Sequence, residues 1–270
     1  MKLIGVGDNV LDHYVAQGLM YPGGNAVNVA VYASRLGMQT AYIGAVGPDA
    51  PGRWITDSIS AEGVDVSHVK MLEGETSICH VTLVEGDRKF VGSNGGVSYE
   101  LVLEENDFAF ISGFDLVHSS IYSRIEKQLD KLSAVSKYLS FDFSDHAKKE
   151  YRERVLPWLN AAFFSGSKLS DREMEELFEE CRKAEVELCL ITRGSQGAIL
   201  EYNGIKYQQG ITPTDVVDAL GAGDGFIAAL LHSLYAKGLD PQTSMKKASE
   251  FAAKICSEFG AFGRPMPYRQ

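Results

Sequence analysis

The sequence predicts an α/β protein: a mostly parallel central sheet, helices on both of its faces, and a small antiparallel flap standing off it. Three observations carry that prediction. Short apolar runs ending in Gly, Ser or Asp recur along the chain, helical patterns fall between most of them, and one segment breaks the alternation with two strands and no helix. Alternation of this kind implies βα units whose crossovers bring each strand back parallel to the last. Ligands of such folds gather at the carboxyl ends of the strands, near helix N-termini.

Taken in order, the strand-like runs are "KLIGVG" from Lys2, "TAYIGAVG" from Thr40, "FDLVHSS" from Phe114, "YLSFDFS" from Tyr138, "NAAFFSG" from Asn160 and "ELCLITRG" from Glu187. The helical patterns include "NAVNVAVYASRLG" from Asn25, "IEKQLDKLSAVSK" from Ile125 and "DREMEELFEECRKAEV" from Asp171. In the last of these, Met174, Leu177, Phe178 and Cys181 fall at i, i+3, i+4 and i+7, the spacing of a core-facing stripe. The interrupting segment, "TSICHVTLVEGDRKFVGSNGG" from Thr76, reads as two strands joined at "EGD", with Cys79, Val81 and Leu83 alternating with more polar positions. A hairpin at the edge of the main sheet is the alternative placement. The chain has no linker, repeat or low-complexity stretch, so the flap is expected to be an appendage of one domain.

The chain of 270 residues is long enough to bury a sizeable core, and its net charge is −10. An acidic surface gains nothing from phosphate backbones or anionic lipid, so nucleic acid and membrane are not expected partners. No apolar run reaches the roughly 18 residues a membrane span needs, and "MKLIGVGDNV" is too short and too mixed for a signal peptide. Cys79, Cys181, Cys189 and Cys256 form no C-x-x-C pair, which suits free thiols in a reducing cytoplasm rather than a metal site.

The stretch "DALGAGD" stands directly before the apolar run "FIAALLHSLYA". Gly221, Ala222 and Gly223 have almost no side chains, so their N–H groups can approach a ligand closely. At the first turn of a buried helix those N–H groups and the positive end of the dipole make an anion site. Asp224 at the same mouth would repel a merely bound anion. It makes sense as a base that takes a proton from an attacking hydroxyl while the N–H groups stabilise a transferring phosphoryl group. The alternative is a tight turn with Asp224 as an ordinary helix-start residue. On the first reading, a valine at position 223 would block the phosphate and resist a positive φ.

A second glycine pair, Gly23 and Gly24, precedes Asn25 and Asn28. Small residues followed by amides suit a polyhydroxylated ligand, because an amide both donates and accepts; helix capping is the competing role. Asp12 upstream can accept from two sugar hydroxyls. "GVGDNV" begins like a dinucleotide fingerprint, but Val10 stands at the third glycine position, and no G-x-x-x-x-G-K-[ST] loop occurs. Among the histidines, His80 and His118 stand out by position, with ordinary structural roles as the simpler reading.

Together, "GGNAVNVAVYASRLG" and "DALGAGDGFIAAL" resemble the N- and C-terminal signatures of the PfkB, or ribokinase-like, carbohydrate kinase family, and "ITRGSQGAIL" resembles the strand–turn–strand before its nucleotide site. The resemblance covers nearly the whole chain. It implies a ribokinase-like three-layer sandwich, one domain over 1–270, with a small antiparallel β lid formed by about 12–22 and 75–96. It implies ATP and Mg²⁺, with Asp224 as base and Gly221, Ala222 and Gly223 as the anion hole. It puts Asp12, Gly24, Asn25 and Asn28 on the sugar. It puts Thr192, Arg193, Gly194 and Gly197, with Gly221 and Gly223, on the nucleotide. "GDNVLD", "DLVHSSIYSRIE" and "FDFSD" further resemble the fructoselysine-kinase branch of the family, which phosphorylates O6 of an Amadori product. A kinase of another sugar or of a nucleoside, or a protein that binds such ligands without turnover, are the alternatives.

Two departures from the family pattern stand out. Ala219 replaces its usual Thr, and Ser165 and Lys168 fall where its N-x-x-E motif is expected, which leaves the Mg²⁺ ligands unassigned. Asp8, Arg35, Arg88 and Asn94 are positional candidates for the amine part of the substrate. The resemblance also implies a cytoplasmic homodimer whose lids meet, with Cys79, Val81 and Leu83 needing cover from a partner.

Overall fold

The structure is a computed structural model that describes residues 1–84, 87–145 and 147–268, and side chains outside 83–91. Eight strands form the main sheet: β1 (Lys2–Val6), β4 (Gln39–Ile43), β9 (Leu116–Ser120), β10 (Leu139–Asp142), β11 (Ala161–Ser165), β12 (Leu188–Thr192), β13 (Ala198–Tyr202) and β14 (Ile205–Gln209). Their order is β14-β13-β12-β11-β10-β9-β1-β4. Pairing is parallel from β4 through β12, and β13 and β14 close that edge in antiparallel fashion.

Both faces of this sheet are covered, as the near-continuous apolar strands require. On one side Leu3, Leu116, Phe163 and Leu190 pack under α1 (Asn25–Arg35), α2 (Ala50–Ala61), α7 (Ala222–Leu231) and α8 (Pro241–Ile255). On the other, Ile4, Val117, Phe141 and Phe164 meet α3 (Glu105–Ile111), α4 (Leu129–Val135), α5 (Lys149–Val155) and α6 (Asp171–Lys183). Helix α6 buries Met174, Leu177, Phe178 and Cys181, the stripe expected from spacing. Its start is a capping box, in which Ser170 Oγ accepts from the Glu173 amide and Glu173 Oε2 from the Ser170 amide, at 3.3 and 2.8 Å. The pattern over 125–137 does not become one helix. Gln128 leaves helical geometry and spends its amide on the backbone of Leu103, at 2.9 and 2.8 Å, so α4 begins only at Leu129. Among the described residues no helix is long and apolar enough to cross a membrane.

The segment with no covering helix does form a pair of strands, β7 (Ile78–Val84) and β8 (Asp87–Asn94). The turn at 85–86 lies outside the described residues. The pair is not a free hairpin. It belongs to a second sheet of order β15-β3-β2-β7-β8, with β2 (Val10–Tyr14), β3 (Leu19–Gly23) and β15 (Met266–Pro267). Most pairings there are antiparallel, but β2 and β7 run parallel, so the sheet is mixed. The remaining strands, β5 (Ala45–Val46) and β6 (Lys70–Met71), form a small parallel pair. Cys79 and Val81 are only 8% and 2% exposed within the single chain, so the expected bare face is already covered from within. The side chain of Leu83 lies outside those described.

Candidate active site

The turn "DALGAGD" is built as the sequence suggests, with one reassignment. Gly221 is the residue before α7, in the left-handed region at φ 76°, and no side chain caps the helix there. A Cβ on Gly221 would sit 2.4 Å from Tyr32 Oη. Gly223 has helical backbone geometry within α7 and open space where a Cβ would stand. The conformational demand therefore falls on Gly221, not on Gly223, while Gly223 keeps the mouth of the turn open. Asp218 anchors the turn from behind. Its Oδ1 accepts from the Leu220 amide at 3.0 Å, and its Oδ2 accepts from the Gly260 amide at 3.1 Å and from the Tyr14 hydroxyl.

Asp224 sits in the first turn of α7 between two amides carried by α1. Asn25 Nδ2 donates to its Oδ1 at 2.7 Å and Asn28 Nδ2 to its Oδ2 at 2.6 Å. Asn25 Nδ2 also donates to Asp142 Oδ2 at 2.7 Å, and Asn25 Oδ1 faces His118 Nε2 at 2.8 Å. Burial pushes the Asp224 carboxyl up to about 8; Asp142 and Asp8 add to the rise, and the two amides oppose it. The result is a carboxylate of strengthened basicity beside the first turn of α7, where the Ala222 N–H is already spent on the Ala219 carbonyl at 3.2 Å and the N–H groups of Gly223 and Asp224 have no acceptor within the helix.

The structure divides the expected sugar residues. Asp12 Oδ2 and Asn28 Oδ1 lie 3.0 and 3.8 Å from where a Cβ of Gly23 would stand, so glycine keeps open a space that both oxygens face. Asn28 Oδ1 is buried without a hydrogen-bond partner among the described residues. Asn25 is different: both its N–H groups are committed to carboxylates and its oxygen to His118, so it presents no donor to a sugar. Gly24, at φ 112°, packs against Asp8 and Asn9 so tightly that a Cβ would fall 2.7 Å from their backbone atoms.

The positional candidates for an amine do not assemble. Asp8 caps α1, taking the Asn25 amide at 2.6 Å and the Ala26 amide at 3.3 Å. Arg35 pairs with Glu62 at 2.8 Å, and Asn94 ties down Ile78 and Glu75. The side chain of Arg88 lies outside those described. Thr192 ends β12, and Arg193 to Gly197 turn the chain into β13. Gly194 and Gly197 take φ 57° and 82°, and a Cβ on Gly197 would meet the Gln209 carbonyl at 2.0 Å. Ser165 ends β11, whereas Lys168 is 86% exposed with its Nζ 3.8 Å from Asp145. No carboxylate stands at either place.

Sequence reasoning missed Asp142 and the Tyr14–Asp218 tie. Asp142 was legible in principle, as an acid ending a parallel strand. The tie joins residues 204 positions apart, and no local pattern announces it.

A buried carboxyl of raised proton affinity thus stands in the first turn of a helix beside the carboxyl edge of a parallel sheet. Over residues 1–267 the chain matches the pfkB family of carbohydrate kinases, and it belongs to that family. It is 45% identical over 273 aligned residues to the fructosamine kinase FrlD of Bacillus subtilis, covering 100% of this chain and 95% of that one. It is 33% identical over 257 residues to the fructoselysine 6-kinase of Shigella flexneri, covering 95% and 98%. Its fold is that of the Arabidopsis thaliana ribokinase solved with ribose and ATP, at a TM-score of 0.82, 19% identity, and coverage of 98% and 95%.

Proposed function

We propose that this chain phosphorylates the primary hydroxyl, O6, of a fructosamine such as fructoselysine, with ATP as donor. The observation that carries the reading is Asp224, held by Asn25 and Asn28 at the open N-terminus of α7. The names of the two kinase relatives support the acceptor, and the ATP-bound ribokinase of like fold supports the donor.

In this reading Asp224 takes the O6 proton as O6 attacks the γ-phosphorus. The bond from that phosphorus to the ADP oxygen breaks, giving the sugar 6-phosphate, ADP and a proton returned to solvent from Asp224. The amides of the Gly221–Asp224 turn stabilise the equatorial oxygens of the transferring group. Asp12 and Asn28 orient the sugar, with Gly24 closing the backbone beside them. Thr192, Arg193, Gly194 and Gly197 line the nucleotide; β12 lies two strands from β10, about 10 Å, a span a triphosphate bridges. Mg²⁺, when bound, would supply charge neutralisation on the phosphates; among the described residues no three acidic, His or Cys side chains form a metal cluster, so no ligand set is assigned to it.

The second sheet, with β2 carrying Asp12, serves as the lid that excludes water as a competing acceptor. The cytoplasm suits four cysteines that form no disulfide. Pairing of two chains through the lid rests on family resemblance alone, since Cys79 and Val81 need no partner; sedimentation as a monomer at micromolar concentration removes it. The deciding experiment for the reaction is ADP release with fructoselysine, fructose and ribose as acceptors. A clear preference for fructoselysine is expected. Equal or better use of fructose or ribose would transfer the assignment to a plain sugar kinase.

A further inference from the structure

We propose that His118 is a positioning residue for the base: by donating Nε2–H to Asn25 Oδ1 it fixes the one amide that ties Asp224 to Asp142. The proposal rests on the reading of Asp224 as the base.

A hydrogen inventory leads to it. An asparagine amide has two N–H donors and one carbonyl acceptor. Asn25 Nδ2 faces two carboxylates, Asp142 Oδ2 and Asp224 Oδ1, each at 2.7 Å. Two acceptors at one atom assign that atom as nitrogen, so the atom facing His118 is the oxygen. At 2.8 Å, Nε2 must then carry the hydrogen. The His118 ring is wholly buried, and burial drives its proton affinity down to about 3, so it is neutral and has a single N–H. Nδ1 is therefore bare and accepts from Ser140 Oγ at 2.9 Å, a hydroxyl that it shares with the Val117 carbonyl at 3.0 Å.

Ser140 stands directly opposite His118 in the β9–β10 register. The pairing that builds the main sheet thus also places a hydroxyl against Nδ1 of a ring two hydrogen bonds from Asp224, while the Asn25 oxygen sets the tautomer. The path runs from Ser140 to His118, to Asn25 and then to both carboxylates. An ordinary core histidine needs one satisfied nitrogen and no particular tautomer. Here the tautomer decides whether the buried Asn25 oxygen has a donor at all, and an orphaned buried oxygen is costly enough to turn the amide.

The consequence falls on Asp224. The groups that face it are Asn25, Asn28 and Tyr32 from α1, Asp142 from β10 and Asp8 at the end of β1. The amides favour its charged form, and the two acids oppose it. If the Asn25 amide turns, Asp224 loses one of its two clamps while both repelling acids stay.

The test combines a spectroscopic and a kinetic arm. Side-chain ¹⁵N NMR of the wild-type protein should show His118 protonated on Nε2 and bare on Nδ1 from pH 5 to 9 (about two units either side of neutrality, a range the buried ring should not titrate in). His118→Leu should lower kcat about tenfold to a hundredfold, the size of effect seen when a partner that orients a site group is removed. It should also move the acid limb of kcat/KM to higher pH and leave the KM for ATP unchanged. His118→Gln, which keeps a donor near the Nε2 position, should recover most of the loss. An Nδ1–H tautomer, or a folded His118→Leu protein with the wild-type kcat and pH profile, overturns the proposal. The NMR arm needs no turnover, so a wild-type protein inactive on every acceptor would defeat the kinase reading while the tautomer is still decided.

Discussion

Two helix N-termini follow glycine turns at the carboxyl edge of the sheet, and the chain treats them oppositely. Helix α1 follows Gly24, at φ 112°, and α7 follows Gly221, at φ 76°; neither has a cap from its own preceding side chain. At α1 the chain supplies the anion itself. Asp8 accepts the Asn25 and Ala26 amides and is held by the hydroxyls of Ser120 and Ser123 at 2.7 and 3.0 Å. At α7 the first turn opens to the cleft at Gly223, and its carboxylate, Asp224, is turned sideways into the amides of α1. At α1 the glycine turn holds an anion from within, the Asp8 carboxylate, whereas no hydrogen bond of the described residues brings a carboxylate to the first-turn amides of α7. What separates structure from function is whether the protein fills the site from within.

The largest effect should come from the open terminus. Asp224→Asn keeps the shape of the side chain and removes the base, so kcat should fall by about 10²- to 10⁴-fold while ATP binding persists. A variant that keeps more than about a third of the rate, with chemistry limiting, would make Asp224 a helix-start residue and the two termini alike.

The two glycines of the same turn should then separate. Gly221→Ala places a Cβ on a left-handed backbone and against Tyr32 Oη, so it should cost roughly 1–3 kcal/mol from the backbone alone, read as a lower melting temperature with reduced turnover. Gly223→Val meets open space and helical backbone, so the fold should survive and turnover should collapse through blocked phosphate approach. Equal loss of stability in both would mean that the turn is a packing element throughout.

How much of this was legible follows from where the information lies. The strand runs and the α6 stripe were readable because periodicity is local. The "DALGAGD" turn was readable because small residues before an apolar run have few other uses. The role of Gly221 as the strained residue was not, since its reason is Tyr32, far off in sequence. Asn25 looked like a sugar ligand because residue type shows what an amide can do but not what already occupies it. The lid was expected from about 12–22 and 75–96 as an antiparallel flap; its parallel β2–β7 pairing was not legible, because it joins Leu11 to Ile78, a contact no local pattern encodes. Cys79 and Val81 are buried within the single chain, so these two positions give no reason to expect a partner.

The closed terminus gives a smaller prediction. Asp8→Asn cannot accept at both oxygens, so α1 loses part of its cap and a buried charged hydrogen-bond set. A loss of about 1–3 kcal/mol in unfolding free energy is expected by chemical denaturation. No loss would mean that α1 does not depend on an internal anion.

The smallest effect is a shift in pH dependence, and it tests whether the open terminus is tuned by its neighbours. Asp224 must be unprotonated to accept the O6 proton. With burial and nearby acids raising it to about 8, the free protein holds it mostly protonated at neutral pH. The kcat/KM for the sugar should therefore climb through about pH 8 and level off above it. Asp142→Asn removes a negative charge and can keep one oxygen on Asn25, at the expense of the bond that the other oxygen accepts from the Ser144 amide at 2.8 Å. The like-charge contribution to Asp224 then disappears, its proton is held less tightly, and the limb should move to lower pH. It should not fall to the ordinary carboxylate range, because burial is the larger cause and the substitution leaves burial in place. A limb that stays put, or moves up, would show that Asp142 does not sense the charge on Asp224, and that the amide between them is a spacer rather than a shared clamp.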